Sequence, residues 1–277
     1  MPQDVSINCT ILGCGTSVGV PALGRIGWGK CDPLEPKNRR QRCALLLETD
    51  TTTILVDAGP DIRNQLLPYG LEKLNAVLIT HTHSDHVAGI DELRTFFFPD
   101  RIEVPVYASA KHADDVETRF PYMFKNMPES PSYFIPPLKM NIIAPDDRLE
   151  IGDVVIDVMH QNHGTTHSLG FLFNNKIGYS TDVIDMPDSN FDMLSGVPHW
   201  IVECLRDTPH QSHLHFDKTM EWIDRVKPAH AYLTHLAPEA DYQTFLAKCP
   251  EGVEPAYDGL QISFLHGKWC DLHYTLR

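Results

Sequence analysis

The chain has 277 residues, 42% of them hydrophobic and 22% charged, the composition of a folded globular protein and not of a disordered one. A formal charge of −14, from 37 acidic against 23 basic side chains, repels polyanions and counts against an extended nucleic-acid surface. No apolar run approaches the roughly 18 residues that span a bilayer, and Met1-Pro2-Gln3-Asp4 lacks the basic and apolar stretches of a secretory signal. The expectation is a cytoplasmic protein without membrane contact.

Residues 5–12 read as a first strand running into the Gly-rich turn Gly13-Cys14-Gly15-Thr16-Ser17. A stretch with little periodicity follows over 18–42, and loops of that length are commonly functional. Apolar runs at 43–47 and 53–56, joined by Asp50-Thr51-Thr52, predict a hairpin. A helix is predicted at 61–67, a short strand at 76–80, a helix at 90–97, a strand at 104–107 and a helix at 111–120. Pro128, Pro131, Pro136 and Pro137 make 127–137 irregular, inside an insertion of about 121–140. Strands are read at 154–159, 169–173, 177–179, 200–202, 231–233 and 260–265, and helices at 217–226 and 239–247. Without an internal repeat or a visible boundary, residues 1–277 are expected to form one layered domain with insertions at about 18–42 and 121–140. The seven cysteines are scattered with no Cys-x-x-Cys pair, so neither a disulfide framework nor a thiolate zinc site is signalled.

The polar residues that matter stand where apolar runs end. Asp57 follows Ile54-Leu55-Val56, His81 follows Val77-Leu78-Ile79-Thr80, Asp182 follows the run from Ile177, and His235 follows Ala231-Tyr232-Leu233-Thr234. Strand ends on one sheet edge hold side chains rigidly enough to build a metal cage. His81, His83, Asp85 and His86 fall within one short segment, a density that a solvated loop rarely shows. In extended backbone His81 and His83 point the same way and can share one ion, while the turn that follows re-aims Asp85 and His86 toward a second. Imidazole and carboxylate together suit two divalent cations, Zn²⁺ or Mn²⁺, with Fe²⁺ also accommodated.

His81-x-His83-x-Asp85-His86 after an apolar strand resembles the signature of the metallo-β-lactamase superfamily. The resemblance implies an α+β fold, a four-layer αββα sandwich with the site at one edge. It assigns His81, His83 and His163 to the first metal, Asp85, His86 and His235 to the second, and Asp182 to both, with Asp57 orienting ligands from behind. His163 is chosen over its neighbours because it lies a short turn before Leu169-Gly170-Phe171. His160 is read as ending the preceding strand and His167 as facing substrate.

Gly13-Cys14-Gly15-Thr16-Ser17-Val18-Gly19-Val20-Pro21, with Asn38-Arg39-Arg40-Gln41-Arg42, resembles the phosphodiesterase branch that includes the phosphoribosyl cyclic phosphodiesterase of the carbon–phosphorus lyase pathway. Ribonuclease Z is a more distant relative in that branch. Members near the cyclic enzyme carry a Cys-rich structural zinc loop between these segments. Here the corresponding stretch has only Cys31, which counts against that zinc and against strict equivalence of substrate.

What the branch implies is a dinuclear hydrolase cleaving a small phosphate diester, cyclic ones included, by attack of metal-held hydroxide on phosphorus. Asp85 helps keep the metal bridge in place, and Ser17 and His167 are candidate substrate contacts. A histidine before the 217–226 helix is expected to protonate the leaving oxygen, and His213 matches that position better than His215. The basic cluster Lys37 to Arg42 reads equally as a phosphate grip or as surface charge, and the insertion with Tyr122, Phe124, Tyr133 and Phe134 as a lid, a packed loop or a homodimer contact.

Other readings are a ribonuclease Z-like endonuclease, a thioesterase or lactamase, an oxygen- or nitric oxide-reducing diiron protein and a non-catalytic metal-binding module. The charge of −14 disfavours the first. The N-terminal resemblance and the His213 segment disfavour the second. His83, where the diiron group has glutamate, disfavours the third, and the full ligand set the last.

Overall fold

The computed structural model describes residues 5–265 and 268–272. The first half of the chain supplies β1 (Ile7–Gly13), β2 (Ala44–Glu48), β3 (Thr53–Val56), α1 (Ile62–Leu66), β4 (Ala76–Leu78), α2 (Ser84–Val87), β5 (Val104–Ser109), α3 (Ala110–Arg119), α4 (Pro121–Phe124) and β6 (Leu138–Ile143). The second half supplies β7 (Arg148–Ile151), β8 (Val154–His163), β9 (Thr166–Phe173), β10 (Ile177–Ser180), α5 (Asp188–Leu194), β11 (His199–Glu203), α6 (Phe216–Val226), β12 (His230–Thr234), α7 (Tyr242–Leu246) and β13 (Val253–Pro255). Then β14 (Leu260–Leu265) and β15 (Lys268–Leu272) return to the first half.

Two mixed sheets result. One has eight strands in the order β15-β14-β1-β2-β3-β4-β5-β6, and the other seven in the order β13-β12-β11-β10-β9-β8-β7. Side chains alternate across each strand, and that sorts them into layers. In β2, Leu45 and Leu47 face the second sheet while Ala44 and Leu46 face helices. In β8, Ile156 and Val158 enter the inter-sheet core and Met159 faces outward. The outer face of the first sheet packs on Ile62 of α1 and on Ala113 and Val116 of α3. That of the second packs on Phe191 of α5, on Trp222 and Ile223 of α6, and on Phe245 of α7. This is the αββα sandwich expected from the sequence.

Strands β3 to β6 run parallel to one another, as do β10 to β13, so the C-terminal ends within each set share an edge. Both faces of such strands are covered, which is why they read as short unbroken apolar runs.

The elements not legible in the sequence include the short α2 and α4, the closing strand β15, and β6, β7, α5 and β13. β6 and β7 are peripheral strands whose polar residues (Lys139, Asn141, Arg148, Glu150) mask any alternation, α5 has seven residues, and β13 has three. The strand β6 begins inside the expected 121–140 insertion. The helix expected at 90–97 is present over Ile90–Phe96, wound as a 3-10 helix. β8 continues to His163, so His160 lies within that strand and does not end it.

Candidate metal centre

The edge shared by the parallel strand ends carries the polar residues. Asp57 follows β3, Asp182 comes two residues after β10, Glu203 is the last residue of β11, His235 follows β12, and His163 is the last residue of β8. Asp57, Asp182 and His235 all adopt left-handed backbone (φ 64°, 54° and 56°). Asp and His tolerate this region better than most residues, and such conformations cluster at functional sites.

In one half of the centre, His83 Nδ1 lies 2.9 Å from His81 Nε2 and 3.3 Å from His163 Nε2. In the other, His86 Nε2 lies 3.2 Å from Asp85 Oδ2 and 3.1 Å from Asp182 Oδ2. His235 Nε2 completes that half, 4.0 Å from Asp85 Oδ2 and 3.5 Å from Asp182 Oδ1. Asp182 Oδ1 is also 3.9 Å from His81 Nε2 and 3.7 Å from His163 Nε2, so this carboxylate stands between the halves.

Partners behind the rings fix how they present their nitrogens. His86 Nδ1 donates to Asp57 Oδ2 at 2.6 Å, His163 Nδ1 to the Ser212 carbonyl at 3.0 Å, and His235 Nδ1 to Glu203 Oε1 at 3.0 Å. Asp57 is itself held by the Thr80 N–H and hydroxyl, both at 2.8 Å. With that hydroxyl donating to Asp57, its oxygen accepts from His81 Nδ1 at 3.1 Å. These bonds assign the Nε2 lone pairs of His81, His86, His163 and His235 to the centre.

Among the described residues, the buried Nε2 atoms of His86 and His235 make no well-aligned hydrogen bond, although carboxylate oxygens lie 3.1 to 4.0 Å away. Buried polar atoms are rarely left so, and lone pairs aimed at carboxylate oxygens and at one another call for positive charge between them. The donor set therefore fits divalent cations. His81-His83-His163 and Asp85-His86-His235 each converge within 4.8 Å.

The electrostatics agree. Burial pushes the His81 imidazole well down, reinforced by His86, so that ring is neutral. Burial would raise the Asp182 carboxyl, but His235, His86 and His81 outweigh it and hold it well below the usual carboxylate range. Burial would lower His86, but Asp182, Asp85 and Asp57 outweigh it and hold it well above an ordinary histidine.

His213 joins the rim. Its ring centroid is 4.8 Å from that of His163 and 4.9 Å from that of His235, and its Nδ1 donates to Glu203 Oε1 at 2.5 Å. Glu203, wholly buried and also bonded to the Val183 N–H, was missed in the sequence. The signal was there: an apolar run, Trp200-Ile201-Val202, ending in an acid.

His215 stands apart as the residue capping α6, its carbonyl accepting from Thr219. His167 is half-buried with Nε2 3.0 Å from Ser109 Oγ, and His160 stacks on it at 5.7 Å. Ser17 is exposed, and its carbonyl accepts from Arg42 Nε at 3.0 Å. Among the described residues, the contacts that build the centre include neither Ser17 nor His167.

Comparisons with known proteins place this geometry. Residues 52–236 match the family model described as the beta-lactamase superfamily domain. The octanoyltransferase of Porphyromonas gingivalis is 31% identical over 92% of this chain and 51% of its own length. A ribonuclease Z of Bradyrhizobium diazoefficiens is 28% identical over 50% of this chain and 46% of its own. The chain thus spans about half the length of these curated relatives.

Among solved structures, a diphosphatase of the PhnP family superposes with a TM-score of 0.83 and 29% identity, covering 94% of this chain and 97% of that one. The short form of human tRNase Z superposes at 0.66 with 16% identity, covering 92% and 98%, and shares the fold. With the model spanning the strand ends Asp57, Asp182 and His235 and the whole His81–His86 turn, the chain belongs to the beta-lactamase superfamily and has the metallo-β-lactamase fold.

Proposed function

We propose that the protein is a metal-dependent hydrolase of small phosphate diesters, cyclic ones included. The observation that carries the reading is Glu203: one buried carboxylate holds Nδ1 of both His235, in the cage, and His213, on its rim. Phosphoryl hydrolysis needs a proton donor fixed beside the place where a metal-bound phosphate would sit, and this arrangement provides one.

Divalent cations in the cage would supply Lewis acidity and a water whose pKa falls toward neutrality. His81, His83 and His163 would hold one cation and Asp85, His86 and His235 the other, with Asp182 shared. Glu203 accepts from His213 Nδ1 and so leaves Nε2 to carry the proton that the departing oxygen takes. Zn²⁺ and Mn²⁺ both suit the donor set, and Fe²⁺ is accommodated by it. Asp57 keeps His86 aimed at the centre.

The likeness to a PhnP-family diphosphatase and to ribonucleases Z supports a phosphorus-centred reaction over the lactamase and thioesterase readings. A charge of −14 favours a small substrate over a folded RNA. We infer that no membrane or nucleic-acid partner takes part.

The test is a panel of bis(p-nitrophenyl) phosphate, cyclic nucleotides, phosphoribosyl cyclic phosphate, a nucleoside diphosphate, pre-tRNA, a thioester and a β-lactam. It is run on chelated protein and on protein reloaded with Zn²⁺ or Mn²⁺. Turnover of a small diester that vanishes on chelation and returns on reloading is expected. Turnover that survives exhaustive chelation, or is confined to the thioester or the lactam, rejects the proposal.

A further inference from the structure

His83 differs from the other imidazoles of the centre. His81, His86, His163 and His235 are buried, and each has a hydrogen-bond partner behind its ring. His83 is exposed, and among the described residues no partner is found for its Nε2. Its Nδ1 nevertheless lies within 3.3 Å of both His81 Nε2 and His163 Nε2. Something other than its own ring contacts must hold it there.

That hold is on the preceding residue. Arg119, the last residue of α3, donates from its guanidinium to the Thr82 carbonyl at 2.7 Å. This carbonyl belongs to the peptide that links Thr82 to His83, so the bond fixes the plane from which the His83 backbone departs. The Thr82 hydroxyl lies 3.4 Å from His112 Nδ1, about two turns before Arg119 on the same face of α3. His112 Nε2 donates to the His167 carbonyl at 3.0 Å, so Nδ1 is left to accept from Thr82. His112 is 2% exposed, and its ring lies 4.4 Å from that of His167. The β8–β9 hairpin that includes His167 is the one that delivers His163. Asp115 in turn takes the other guanidinium nitrogens of Arg119 at 3.1 and 2.6 Å and aims it.

We infer that α3 is a brace for one half of the centre: Arg119 and His112 are positioning residues that hold His83 and His163 at the spacing of a shared cation. Asp57 and Glu203 do the corresponding work in the other half, through ring nitrogens. The brace acts instead through backbone, which allows an exposed ligand to be placed without burying it. This inference rests on the dinuclear reading of the centre and not on the identity of the substrate.

Zn²⁺ binding followed by competition with a chelator, together with metal counting, tests the brace without any assay of turnover. Arg119→Met, at a side chain that is partly exposed, is expected to weaken one of two Zn²⁺ binding steps by about 10–100-fold, the usual cost of losing an outer hydrogen bond at a metal site. The other step stays within about threefold. Arg119→Lys, which keeps a donor for the Thr82 carbonyl, restores most of the loss. His112→Phe, which keeps a ring without its nitrogens, weakens the same step.

Unchanged affinities in Arg119→Met overturn the brace. So does an equal weakening of both steps that tracks a fall in the metal-free melting temperature, which is how a purely structural residue behaves. Should His112→Phe fail to fold, the Arg119 pair still decides. A wild-type chain that takes up no Zn²⁺ overturns the metal reading and the brace together, whereas two Zn²⁺ held with equal affinity in wild type and Arg119→Met sinks the brace alone.

Discussion

Glu203 has two acceptor sites occupied by imidazoles and a third contact to the Val183 N–H, and it is wholly buried. Burial would raise its carboxyl, but His213 and His235 outweigh that and keep it below the usual range, so it faces both rings as an anion. His213 and His235 depend on the same anion for different ends, and the two roles separate on mutation. Replacing His213 by alanine removes the proton donor but none of the nitrogens of the two converging triads. Turnover should fall by roughly 10²–10⁴-fold, the range for loss of a positioned acid, with metal content unchanged. Glu203→Gln should lower turnover and metal content together, since His235 loses its anchor. Metal counting beside steady-state kinetics checks both, and loss of a metal ion from His213→Ala would make His213 a ligand. The sequence made His213 legible only through resemblance, because nothing in Gln211-Ser212-His213 announces a partner ten residues away. Asp57, His81, Asp182 and His235 were legible directly, because a polar residue ending an apolar run reports a strand edge. Ser17, expected as a substrate contact, lies outside the contacts that build the metal centre itself.

At the scale of elements, the long loop over 18–42 shows what short-range patterns cannot report. Its ties are to residues some two hundred positions later, in the segment after His235. Arg40, 2% exposed, donates to the Ala240 carbonyl at 2.7 Å, and Cys31 Sγ meets the Pro238 carbonyl at 3.4 Å. Asp241 is the common anchor. It caps α7 through Thr244 N at 2.9 Å and binds Asn38 Nδ2 at 2.7 Å and Asp32 N at 3.2 Å from the loop. Burial would raise its carboxyl, but Thr244 and Asn38 outweigh that and hold it down to about 2. A depressed carboxyl stabilises the fold above its unfolded pKa, about 3.9, and that contribution is lost as pH falls toward the folded value. Asp241→Ala should therefore cost about 1 kcal/mol near neutrality, the usual worth of a helix cap. In urea unfolding its deficit against wild type should shrink between about pH 4 and the folded value of about 2. A deficit that is flat across that window would assign the anchor to packing alone. The helix was read from 239, so Asp241 fell inside it and neither its cap role nor its grip on the loop was legible, for no local spacing encodes the latter.

For the whole molecule, a layered α/β or α+β domain was legible because buried strands leave unbroken apolar runs, whereas the four-layer sandwich followed only from the family resemblance of the motif-bearing turn. The pairing order was not legible, since β14 and β15 rejoin β1 from the far end of the chain. What the assembled sandwich does is close two sheet edges on a shared cluster of charge, and this sets how the protein responds to pH. Burial would push His86 and His235 down, but the carboxylates around them, Asp182 foremost, outweigh it and hold both well above an ordinary histidine. In metal-free protein these groups are protonated, and their stabilisation is fully present below the unfolded pKa of about 6.5 and is lost as pH rises through the raised values. A cation must displace the same protons, so uptake releases them and affinity rises with pH. The two effects reinforce each other: metal-free protein loses stability on alkalinisation just where the loaded form gains its advantage. The difference between loaded and metal-free melting temperatures should therefore widen from about pH 6 to about pH 9. Scanning calorimetry at fixed free Zn²⁺, paired with a chelated control, measures it. A difference that stayed constant over that range would mean that His86 and His235 do not exchange protons for metal, and the cage would lose its cation-binding role.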